Sequence, residues 1–150
     1  LTHHQKDTII LCDDEAPRES SFAYKDSHWK FLRDEKGKTG LESEVEGSQI
    51  AFHIPNNTYK ITVGYLSTHT RISGVAWWIS DTKGKQFIPS NNTLEHILAH
   101  NDMRVSVFAT KEIRLDAAAR HQPYIHFSLL ALNNQSRFQF LSVSFLQSGR

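Results

Sequence analysis

From residue 48 onward apolar residues recur at every second position, and no other feature constrains the fold as much. A period of two belongs to a strand, whose successive side chains point to opposite faces, and not to a helix. Ile50, Phe52 and Ile54 alternate with Gln49, Ala51 and His53; Tyr59, Ile61, Val63 and Tyr65 alternate with Lys60, Thr62 and Gly64. Pro55-Asn56-Asn57 breaks the two runs as a turn, so they read as an antiparallel hairpin. Val75–Ser80, Gln86–Ile88, Arg104–Ala109, Tyr124–Ala131 and Arg137–Leu146 supply further strands, the last two joined by a hairpin-like turn at Leu132–Ser136. Thr8–Cys12 and a segment around His28–Leu32 complete a set of roughly eight.

Two stretches have helical spacing. Thr93–Asn101 gathers Leu94, Ile97 and Leu98 on one side behind a Thr93 cap, and Ala-rich Leu115–Arg120 reads as one turn. Short strands with turn signals every ~8–12 residues specify an all-β fold. The expectation is an antiparallel β-sandwich of jelly-roll type with one short helix near 93–101. The 150 residues form one domain, in which residues 1–28 read as an irregular arm or loop.

Composition narrows the function classes. Seventeen basic residues against sixteen acidic ones are scattered along the chain, so no basic stripe argues for nucleic acid. No apolar stretch approaches the ~18 residues of a helical membrane span, and no membrane insertion is expected. The opening Leu1-Thr2-His3-His4 reads as a processed chain or an excised piece. Cys12 is alone, which by itself points toward a reducing compartment. Three acceptor sequons, at Asn56, Asn91 and Asn134, point the other way. Seven Asn residues would give about one sequon by chance, and all three fall in expected turns, so a secreted or cell-surface glycoprotein is the expectation.

Trp77-Trp78 is the most informative pair. Val75, Trp77 and Ile79 share a core face, which puts Trp78 on the outer one with Ala76 and Ser80. An outward Trp on a sheet offers a plane on which the C–H face of a sugar ring can stack; the bland alternative is a second layer of core. Tyr65 and Trp29 would add stacking area, and His69 and Arg71, in the loop before the Trp strand, would hydrogen-bond hydroxyls or an acidic sugar.

Other clusters are weaker. His96 and His100 at i, i+4 on the expected helix could clasp one metal ion, but two surface histidines explain them as well. Asp13, Asp14 and Glu15 offer oxygen ligands for a structural calcium, or form a solvated acidic turn. Glu42, Glu44 and Glu46 alternate along an extended segment as a solvated face or, as the outside alternative, carboxylates for glycoside hydrolysis. No Gly-x-Ser-x-Gly elbow, phosphate loop or CxxC pair is present, so no catalytic residue is assigned.

A block of short motifs carries a resemblance. Trp29-x-Phe31, Asp34-Glu35, Lys38-x-Gly40, Gly47-Ser48-x-Ile50-x-Phe52, Val63-Gly64-Tyr65-Leu66-Ser67 and Gly74-x-Ala76 span about residues 28–80. The block resembles the β-sandwich domain attached to some SGNH/GDSL-type esterase-like proteins of plants and algae, which is similar in outline to jelly-roll carbohydrate-binding modules. The resemblance implies an accessory binding domain that partners a glycan or polysaccharide, and it brings no catalytic residues. Thr8–Asp14 resembles a nucleophile strand of that family without its Ser. The alternative is a self-assembly protein, pairing with another copy or with a domain of its parent protein through strand edges or an N-terminal arm. A hydrolase using the Glu or His clusters stands third.

Overall fold

The computed structural model describes residues 4–11, 22–33, 39–68, 73–86, 94–130 and 137–148. Its strands are β1 (His4–Ile10), β2 (Phe22–Lys25), β3 (Lys30–Arg33), β4 (Thr39–Ser43), β5 (Gln49–His53) and β6 (Thr58–Ser67), then β7 (Gly74–Ser80), β8 (Glu95–Leu98), β9 (Val107–Arg114), β10 (Tyr124–Leu129) and β11 (Phe138–Ser148). They form two antiparallel sheets, β3-β4-β11-β6-β9 with β1 also on β11, and β2-β5-β10-β7-β8. Strand β11 is long enough for β4 to pair with Phe138–Phe140 and β1 with Ser142–Ser148 along one side, while β6 takes the other. The architecture is a jelly-roll β-sandwich. Its two sheets meet in a core of Ile50, Phe52, Val75, Ile125, Phe127 and Leu129 against Leu41, Ile61, Val63, Phe138, Phe140 and Phe145. Phe52, Phe127 and Phe140 meet edge to face, their centroids 4.9–6.1 Å apart. Each such fully buried ring stabilises the fold by about 1.5–3 kcal/mol relative to exposure.

Alternation identified the inward faces, but not which strands pair. β5 and β6 do not form a hairpin: the chain crosses from the five-stranded to the six-stranded sheet at Pro55–Asn57, and β10 and β11 likewise lie in different sheets. The helix expected near 93–101 is absent, because Glu95–Leu98 is strand β8, paired to Trp77–Gly74 at the edge of the five-stranded sheet. Only Ile97 of that stretch turns inward, and Leu98 is 54% exposed, so the apolar stripe of a helix never forms. A single 3-10 turn at Ala119–His121 stands near the expected second helix. Residues 1–28 are not a free arm where they are described, since β1 and β2 each belong to a sheet. Glu42, Glu44 and Glu46 do not share a solvated strand face either. Glu42 is 5% exposed and its Oε2 accepts from Arg137 Nε at 3.0 Å, while the other two lie in the turn after β4.

Glycines sit where the sheets are tightest. A Cβ on Gly64 would lie 2.9 Å from Cζ of Phe108, so the glycine seats that ring on the outer face of the six-stranded sheet. Gly47, at φ +79°, turns the chain into β5 in a conformation that favours glycine.

Candidate functional site

The outer face of the five-stranded sheet gathers the chemistry. In β10, Ile125, Phe127 and Leu129 point into the core, which leaves Tyr124, His126 and Ser128 on the other face. Register places His126 directly between Ala51 of β5 and Trp78 of β7, and Tyr124 between His53 and Ser80. Four rings thus follow one another across three strands: His53 to Tyr124 at 5.4 Å, Tyr124 to His126 at 6.5 Å, and His126 to Trp78 at 5.1 Å with the last two planes only 7° apart. Ala51, opposite His126, and Ala76, two residues before Trp78, share this face, and both are buried.

A polar network fixes the row. Trp78 Nε1 donates to Gln86 Oε1, whose amide Nε2 donates to Ser80 Oγ at 3.2 Å. Gln49 holds the backbone of Gln86 at both ends, donating from Nε2 to its carbonyl at 2.6 Å and accepting its N–H at 2.9 Å. Ser80 Oγ also accepts the Thr82 N–H and lies 2.9 Å from His126 Nε2. The segment 81–86 is therefore tied down beside the indole, and the half-buried Trp78 has its orientation fixed before any ligand arrives.

His126 is fully buried, and its Nδ1 has no hydrogen-bond partner. Burial holds its pKa below the usual imidazole value, opposed by a contact with the Thr82 backbone, so the ring is neutral at pH 7. Ser80 and His126 have the spacing of a nucleophile and its base, but no carboxylate holds Nδ1 and the ring is closed to solvent. The pair is part of the scaffold. Rings with hydroxyl and amide groups around them suit a ligand with apolar C–H faces and many hydroxyls.

The structure separates the residues that sequence had grouped. Trp78 lies on the outer face, half-buried, and Trp77 packs against the core. Trp29 and Tyr65 do not join the face. Trp29 is completely buried against Phe140, and Tyr65 is 8% exposed and stacked on Phe138, so neither ring can meet a ligand. His96 and His100 lie on and just after an extended strand, where a spacing of four spans ~13 Å, too far for one ion. Among the described residues no group of three or more metal-ligating side chains comes together. Asn56 is exposed in the turn between β5 and β6. His69, Arg71, Asp13, Asp14, Glu15, Asn91 and Asn134 lie outside the described residues. Sequence reasoning missed His53, Tyr124, His126, Gln49 and Gln86. The alternation in Tyr124–Leu129 carried the signal, since its outward set is Tyr, His and Ser.

No family model and no curated protein matches the sequence. Solved structures do match the fold. The CBM36-1 domain of a multidomain xylanase from the hindgut metagenome of Trinervitermes trinervoides aligns with TM-score 0.54 at 10% identity, over 94% of this chain and 96% of that one. The K2 cleaved adhesin domain of Lys-gingipain aligns with TM-score 0.58 at 10% identity, over 92% and 97%. A two-domain esterase active on acetylated mannans aligns with TM-score 0.57 at 13% identity, over 96% of this chain and 36% of the esterase. At such identities the likeness is one of fold: a β-sandwich shared with a carbohydrate-binding module, an adhesin domain and part of a two-domain esterase.

Proposed function

We propose that this chain is a non-catalytic carbohydrate-binding module of a secreted or cell-surface protein, which lays a glycan along His53, Tyr124 and Trp78, with His126 buried beneath them as their support. One observation carries the reading: the four rings stand in sequence on an outer sheet face, with Trp78 locked by Gln86 beside a buried, neutral His126. The fold shared with a carbohydrate-binding module and with part of a mannan-acting esterase supports it. So does the resemblance of residues 28–80 to accessory domains of SGNH/GDSL-type esterase-like proteins. The module acts as one unit of 150 residues within its parent protein, and its exposed sequon at Asn56 suits passage through a secretory pathway. Affinity is modest, because only His53, Tyr124 and Trp78 of the row reach the surface to meet a ligand. Retardation in native gels cast with soluble neutral polysaccharides tests the proposal. Wild-type protein is slowed by at least one of them and Tyr124→Ala is not; equal mobility of both in every gel refutes it.

Self-assembly is the second reading, favoured by the edge where β8 and β9 end their sheets. Leu98, Met103, Val105 and Phe108 are each 54–60% exposed there, and the outer side of eight-residue β9 has no partner strand among the described residues. Sedimentation that grows with protein concentration and ignores added sugars would support assembly over glycan binding.

A further inference from the structure

A concavity of about 590 Å³ opens at the end of the sandwich that holds the C-terminal end of β11. Its volume falls within the range of small-molecule sites, about 300–1,000 Å³. The β5–β6 crossing forms one wall, and the 3-10 turn with the residues just after it forms the other. Both walls are pinned to the strands. Ile54 N–H donates to the Pro123 carbonyl at 2.7 Å, Ser148 N–H to the Asn57 carbonyl at 2.9 Å, and Gln147 Nε2 to the Asn56 carbonyl at 3.0 Å. Asn57 holds a left-handed conformation, φ +66°, which asparagine tolerates better than most residues. The cleft is thus built in advance and not assembled by a ligand.

Its lining is one-sided in charge. Arg120 and His121 line it with Asn56, Asn57 and Gln122, and no Asp or Glu lines it among the described residues. The nearest acidic neighbour in sequence, Asp116, accepts the Ala119 N–H through Oδ1 at 2.7 Å. Arg120 Nε donates to the Leu115 carbonyl at 3.1 Å, which anchors the base of the guanidinium. The two Nη groups carry the remaining four N–H donors, and the outer edge they share, with one N–H from each, matches the two oxygens of a carboxylate or of a sulfate. Ile54, Pro55 and Pro123 add apolar surface beside these donors.

From this donor set we infer that the cleft is a separate subsite for an anionic saccharide, with Arg120 gripping the acidic group and the amides of Asn56 and Gln122 meeting hydroxyls. The preference for an anion rests on the cleft alone, whereas its being a saccharide rests on the carbohydrate-binding reading. The test is a calorimetric titration of the full chain with an oligogalacturonide, a sulfated galacto-oligosaccharide and the matching neutral galacto-oligosaccharide. Because Asn56 stands on the rim and is an acceptor sequon, the titration is run before and after enzymatic deglycosylation. At least one anionic ligand binds, weakens at least several-fold between 50 and 500 mM NaCl, and loses tenfold or more in affinity in Arg120→Gln. Trp78→Ala leaves that binding in place. Arg120 is exposed, so the variant folds, and circular dichroism with a second variant, His121→Ala, checks the same surface. A response to the sulfated ligand alone keeps the site and fixes its anion. Absence of binding by both anionic ligands, or equal affinity in Arg120→Gln, overturns the inference; binding of neutral glycans that depends on Trp78 would then leave the aromatic row standing by itself.

Discussion

Replacing His126 with Phe asks whether the buried imidazole is there for stability or for the face it supports. Two terms oppose each other. The substitution removes Nδ1, a buried nitrogen without a partner, whose desolvation costs the wild-type fold about 1–3 kcal/mol. It also removes the 2.9 Å contact with Ser80, worth about 0.5–1.5 kcal/mol. The ring keeps its place beside Trp78, so the stacking is conserved. At pH 8, His126→Phe is therefore about as stable as wild type or up to about 2 kcal/mol more stable, a rise in Tm of up to roughly 8 °C for a chain of this size. Its pH dependence carries a definite sign. Because the folded pKa lies below the unfolded value near 6.5, the unfolded chain binds the extra proton first, and the contribution of a neutral His126 is complete above that value and lost as pH falls through the folded one. Thermal unfolding followed by circular dichroism from pH 8 to pH 5 measures both effects. Wild type loses stability relative to His126→Phe across the acid half of that range. A variant less stable than wild type by more than about 2 kcal/mol at pH 8, or parallel pH profiles, would refute the reasoning.

Three further outcomes follow from the packing. Phe127→Ala empties a site between Phe52 and Phe140 and costs about 3–5 kcal/mol in chemical denaturation. Gly64→Ala sets a methyl 2.5 Å from Ser142 Oγ and against Phe108, and costs about 1–3 kcal/mol; adding Phe108→Ala recovers part of that loss, which a double-mutant cycle reads. Glu42→Ala strands Arg137, whose side chain is about one-third exposed, and costs about 1–2 kcal/mol, below the value for a fully enclosed pair.

What sequence revealed was the direction of side chains. Alternation placed Trp77 inward and Trp78 outward because the pleat leaves no other option. It could not say whether β5 pairs with β6, since a strand of a sandwich buries the same face whichever sheet it joins. Glu95–Leu98 is too short for its spacing to separate helix from strand, and the open edge of β7 decided it by offering backbone partners. Trp29, flanked by His28 and Lys30, carries no periodic signal of burial; only its packing on Phe140 reveals it. The aromatic row escaped notice because Tyr124, His53 and Trp78 are far apart in the chain and meet only through register.

The measurement that bears most directly on the central claim is binding to a broad array of glycans and polysaccharides, wild type beside Trp78→Ala, with circular dichroism showing both folded. Glycan binding through the aromatic row predicts saturable binding by the wild type that falls at least tenfold in the variant, about 1.4 kcal/mol. No glycan held by the wild type, or one held equally well without the indole, would contradict it.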